Sequence, residues 1–96
     1  MRADYYTYII TGEDGSITSS PCELYKSLSQ AERVAFSEFD YGADSIVQYS
    51  IEKIDQSAGE IAYGVYYADM FNRSIKHIKY IIHILAMDVV QDDWRD

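Results

Sequence analysis

The sequence predicts an α+β fold, a two-layer sandwich in which an antiparallel sheet of three to four strands carries two helices on one face, in the order ββαββα. Three observations carry that prediction. Aromatic and β-branched runs with period-two alternation stand on both sides of a central segment of helical spacing. A capping-box pattern opens that central segment. The last third of the chain spaces its apolar residues by three and four, as an amphipathic helix does. At 96 residues the chain is long enough for one domain, residues 1–96, with a single modest core.

Tyr5 to Thr11 is aromatic and β-branched and reads as the first strand. Asp14-Gly15 predicts a two-residue hairpin turn, with positive φ at both central positions. Ile17 to Ser20 returns as a short polar strand; if it is loop instead, the order becomes βαββα. Pro21 cannot donate to a ladder, so it ends that strand or places it at an edge. Ser29 and Glu32 form the capping box, Leu28, Ala31, Ala35 and Phe39 keep helical spacing, and Val34 and Phe36 widen the apolar face. Gly42 is a natural stop.

From Ile46 to Asp55, Val47, Tyr49 and Ile51 alternate with Gln48, Ser50 and Glu52, which marks a half-buried strand. The phase slips at Lys53-Ile54, predicting a bulge or the strand end. A turn over Gln56 to Glu60 leads into a fourth strand. Ile61, Tyr63, Val65 and Tyr67 line one of its faces; Ala62, Gly64, Tyr66 and Ala68 line the other. Asn72 or Ser74 then caps a final helix with Ile75, Ile78, Ile82, Leu85 and Val89 on its main face. Ile81, Ile84 and Val90 add a second apolar edge that wants cover.

Sixteen acidic residues stand against eight basic ones, a net charge of −8, and ten residues are tyrosine. Such a charge repels nucleic acid and anionic membrane and steers basic partners in. Tyrosine supplies stiff amphipathic area of the kind that protein interfaces favour. Cys22 is the lone cysteine, so no internal disulfide forms, which suits a reducing compartment. The first residues lack a signal-like apolar core, and Tyr80 to Met87 is too short to span a bilayer, so the expected location is the cytoplasm.

No chemical motif competes with the charge. His77 and His83 are six apart and fall on different sides of a helix, so zinc spacing is absent. Gly12 to Gly15 lacks the pattern of a phosphate loop and is better read as a turn. Cys22 has only Lys26 nearby to lower its pKa. The reading is a binding protein rather than an enzyme, with no cofactor and no metal.

The acidity is uneven. Residues 1–72 hold twelve acids and four bases, a net of −8, while residues 73–96 hold four of each. Glu38, Asp40 and Asp44 crowd around Tyr41 at the end of the first helix, where acids oppose the macrodipole. That is either a solvated helix end or an acidic knob for a basic groove. The final helix is also charged against its dipole. Arg73, Lys76, His77 and Lys79 come first; Asp88, Asp92, Asp93 and Asp96 follow. Neutralisation of neighbouring acids such as Asp69 would explain this, and so would an antiparallel homodimer with a seam at Ile81 and Ile84. The sheet face bearing Gln48, Ser50, Glu52, Ala62, Gly64, Tyr66 and Ala68 is a solvated surface or a flat platform.

A small, acidic, cysteine-poor domain with Glu38, Asp40, Asp44, Glu52, Asp55 and Asp69 around tyrosines resembles the phage-encoded anti-defence inhibitors, the anti-CRISPR and anti-restriction class. The resemblance rests on size and composition, not on a motif. It implies a protein of the bacterial host cytoplasm that occupies a basic site on a nucleic-acid-handling complex, such as a CRISPR effector, a restriction enzyme or a nuclease. The residues expected to touch such a partner are Glu38, Asp40, Tyr41 and Asp44, supported by Glu52, Asp55, Tyr66 and Asp69. An immunity protein or antitoxin that caps a basic nuclease toxin needs the same surface. A homo-oligomeric structural or regulatory subunit would use the last helix as its seam, and a small enzyme would need a polar-lined pocket.

Overall fold

Alternation of buried and half-buried residues defines β1 (Tyr5–Thr11), with Tyr6, Tyr8 and Ile10 pointing inward. A computed structural model describes residues 3–21, 23–39, 49–68 and 76–88. Its elements follow in the order β1, β2 (Ile17–Ser19), α1 (Leu28–Ser37), β3 (Tyr49–Gln56), β4 (Glu60–Ala68) and β5 (Lys76–Met87). The strands form one antiparallel sheet in the order β2-β1-β5-β4-β3. Helix α1 packs on β1 and β5.

This architecture corrects the expected ββαββα sandwich: among the described residues the sheet has five strands and carries one helix. The second helix was expected across the segment that forms β5, and its proposed caps, Asn72 and Ser74, lie outside the described residues. β5 is the central strand, with β1 on one side and β4 on the other. It holds the β-branched Ile78, Ile81, Ile82 and Ile84, which favour a pleated surface. Both its neighbours satisfy its backbone, and both its faces carry apolar side chains, although only the one under α1 is buried. A strand of that kind lacks clean alternation, so its spacing imitates a helix.

The first turn differs too. Only Gly15 has positive φ, at 84°, and no other non-glycine or glycine among the described residues does. Gly12 N–H donates to the Ser16 carbonyl at 2.9 Å and Gly15 N–H to the Gly12 carbonyl at 3.0 Å. Glu13, Asp14 and Gly15 are thus a three-residue loop that ends in a left-handed glycine. Asp14 accepts from the Ser16 N–H and hydroxyl, at 2.9 and 2.6 Å, which lowers its pKa.

Helix α1 starts two residues earlier than the Ser29–Glu32 box predicts. Ser27 is its N-cap, accepting from Gln30 N–H at 3.1 Å. Ala31 and Ala35 are fully buried, and their small side chains bring the helix axis close to the sheet. Leu28, Val34, Phe36 and Phe39 pack around them. The helix ends at Ser37 with Glu38 as C-cap, before the predicted stop at Gly42, which lies outside the described residues. On β3 the predicted phase slip is present, as a register shift between Lys53 and Asp55 that leaves Ile54 unpaired.

The core lies between α1 and one sheet face. Tyr6, Tyr8 and Ile10 of β1, Ile82 and Ile84 of β5, and Ile61, Tyr63 and Val65 of β4 fill it. Phe36 meets Tyr63 edge-on at 5.0 Å, and Phe39 meets Tyr80 at 5.3 Å. Among the described residues, no helix is long and apolar enough to cross a membrane.

Candidate functional site

The face opposite α1 is built by register. Thr7 pairs with Leu85 and Leu85 with Glu60; Ile9 pairs with His83, and His83 with Ala62. Thr11 pairs with Ile81, Ile81 with Gly64, and Gly64 with Glu52. Because side chains alternate along each strand, these residues share one face, with no described element packed over it. Its centre is apolar (Ile9, Ile81, Leu85, Ala62), and Ile78 and Met87 remain well exposed toward its ends. Glu52, Asp55 and Glu60 line its β3–β4 side. Lys76 meets Glu52 at 3.5 Å, an exposed pair of small energetic weight.

Tyr66 lies across Gly64. A Cβ at position 64 would come within 2.7 Å of the Tyr66 ring, so the glycine makes room for the aromatic. This covers a strand glycine that would otherwise leave backbone exposed. Beside it runs a relay across three strands. Glu60 Oε2 is 3.1 Å from His83 Nδ1, and His83 Nε2 is 3.1 Å from Thr11 Oγ1. The neutral tautomer that suits both contacts carries its proton on Nδ1, donates to Glu60 and accepts from the Thr11 hydroxyl. The order hydroxyl, imidazole, carboxylate is that of an activated nucleophile. Here it spans a sheet face and fixes three neighbouring strands to one another.

The structure distributes the sequence-predicted residues over different surfaces. Glu52, Asp55 and Tyr66 belong to this open face. Glu38 belongs to the α1 side, where its Oε2 accepts from the Tyr8 hydroxyl and, at 3.0 Å, from Ser19 Oγ. Asp40, Tyr41, Asp44 and Asp69 lie outside the described residues. Ile81 and Ile84 do not form one seam: Ile84 is fully buried under α1, and Ile81 points to the open face. The dipole argument for the last segment lapses with the helix; Lys76 meets Glu52, and Lys79 meets Glu13 at 4.0 Å.

The tyrosines are also used differently from expectation. Tyr6, Tyr8, Tyr25 and Tyr63 are buried in the core. Tyr63 donates to Glu32 at 2.9 Å, and Tyr8 donates to Glu38, so two acids of the helix segment clamp α1 to the sheet. Burial, reinforced by the bond to Glu32, pushes the Tyr63 phenol from its ordinary 10.0 up to about 12. Burial likewise raises Tyr8, with the Glu38 bond adding to it, and raises Tyr25, with the charges of Glu23 and Glu38 adding to it.

The relay and the apolar centre were beyond sequence reasoning, because Thr11, Glu60 and His83 meet only through strand pairing. Among the described residues, no group of three His, Cys, Asp or Glu side chains converges to hold a metal ion. No protein-family model, curated protein or solved structure matches this chain.

Proposed function

We propose that this is a binding protein whose open sheet face docks on a basic protein surface, of the kind that nucleic-acid-handling complexes present, and so blocks access to it. One observation carries the reading: the uncovered face has an apolar centre edged by Glu52, Asp55 and Glu60. Interfaces are built in that way, with an apolar core inside a polar rim. The net charge of −8 selects basic partners and repels nucleic acid itself. Tyr66, lying flat over Gly64, offers a stiff contact surface beside Glu52. The anti-defence class has this size and charge, and its mode of action is the one proposed.

The test compares wild type with the double variant Glu52→Lys, Asp55→Lys as bait in host-cell lysate, at low and at raised salt. Both positions are exposed, so the variant keeps its fold, which circular dichroism verifies. Wild type is expected to retain a nucleic-acid-handling complex in a salt-sensitive way, and added duplex DNA is expected to displace it. The double variant is expected to lose it. Equal retention by both sinks the reading. Recovery of the protein alone, with dimeric light scattering, replaces it with self-association through the same face.

A further inference from the structure

We propose that a hollow at the β1–β5 corner of the open face is the seat for one large apolar side chain of the basic partner, flanked in that partner by arginine or lysine. The inference rests on the docking reading above and names what the partner must carry. The hollow, about 310 Å³, is walled chiefly by Ile9, Leu85 and Met87 of the sheet and by Pro21 and Leu24 of the segment before α1. Its size lies at the lower end of ligand pockets, which suits one side chain rather than a cofactor.

Leu24 and Met87 are 54% and 42% exposed, large apolar groups held in water at the mouth. They are held firmly. The Thr7 hydroxyl donates to the Glu23 carbonyl at 3.1 Å, and Tyr6 and Tyr25 exchange two backbone bonds of 2.7 Å. Leu24 therefore sits between two tethers to β1, and little ordering remains to be done when a partner arrives.

Charge selects the neighbour of the anchor. Glu23 lines the hollow and is exposed, Asp88 follows Met87 in sequence, and no lysine or arginine is among the described residues that line it. A guanidinium or ammonium next to the inserted side chain meets a carboxylate, whereas an acidic neighbour is repelled.

The probes are capped tripeptides, observed through the methyl resonances of the full-length protein. Arg-Phe-Arg is expected to shift Ile9, Leu24, Leu85 and Met87, and Arg-Ala-Arg to bind at least about tenfold more weakly, as loss of a buried phenyl ring demands. Glu-Phe-Glu is expected not to bind. Leu24→Ser, at an exposed position, is expected to weaken Arg-Phe-Arg by at least about fivefold with the fold intact. No shift at these methyls, equal binding of Glu-Phe-Glu, or an unchanged Leu24→Ser variant overturns the seat. If the peptides fail while Glu52→Lys, Asp55→Lys still abolishes capture of the complex, the seat alone is wrong. If capture is also indifferent to those charges, the docking reading falls with it.

Discussion

The two faces of the sheet use the same residue types to different ends. Under α1, the tyrosines and isoleucines are buried, and each phenol bonded to a helix-segment acid, Tyr8 to Glu38 and Tyr63 to Glu32, ties the layers together. On the open face, isoleucine, leucine and methionine stay partly in water, and the acids stand at the rim or in the Glu60–His83–Thr11 relay. The comparison teaches that an acid or a tyrosine is not a surface signal by itself. The same Tyr–Glu chemistry builds a core margin on one side, and the same apolar side chains build an interface on the other.

Substitutions can break or sharpen this contrast. The largest effect belongs under the helix: Ile82→Ala, at a fully buried site, is expected to cost about 2–5 kcal/mol in urea unfolding. A loss below 1 kcal/mol, the scale expected for exposed apolar positions, would erase the distinction between the faces. Next comes the phenol clamp. Tyr63→Phe removes the donor to Glu32 and is expected to cost about 1–2 kcal/mol.

The same clamp sets an alkaline limit. The folded protein holds the Tyr63 proton more tightly than the unfolded chain does, so the stabilisation is whole below pH 10.0. It is lost as pH climbs through about 12. Urea midpoints measured upward from neutral pH should fall in that window, and fall less steeply in Tyr63→Phe. A flat profile would show that the phenol is not held by its surroundings.

Smaller effects belong to the open face. Thr11→Val keeps the shape and removes the hydroxyl from His83 Nε2, with an expected cost of about 0.5–1 kcal/mol. The imidazole proton resonances should shift in the same variant, which separates loss of the relay from a packing change. Glu52→Gln breaks an exposed pair with Lys76 and is expected to change stability by less than about 0.5 kcal/mol. A larger cost would mean that the rim stabilises the fold and not only a complex.

Local chemistry was legible wherever neighbours in sequence decide the outcome. The run Tyr5–Thr11, the alternation of Ile61, Tyr63 and Val65, the helix over Ala31 and Ala35, and the slip at Lys53–Ile54 all appear in the structure. The exact cap was missed because Ser27 and Ser29 stand two residues apart at the helix start; Ser29 lies within the first turn, and the Ser27 hydroxyl accepts from the Gln30 N–H. β5 was missed because its partners are remote. An apolar run with large aliphatic side chains on both faces carries no period that separates strand from helix, and its isoleucines were the better guide.

The sequence alone determined the charge, the alternating strands and the helix that seals one side of the sheet, because these depend on composition and on residues a few positions apart. Tertiary structure decided which acids remain for a partner. Glu38 is engaged by Tyr8 and Ser19, whereas Glu52, Asp55 and Tyr66 share a face only because β3, β4 and β5 pair side by side in one sheet. It also decided that β5 is extended, since a central strand draws its hydrogen bonds and its burial from β1 and β4 rather than from its own neighbours in sequence.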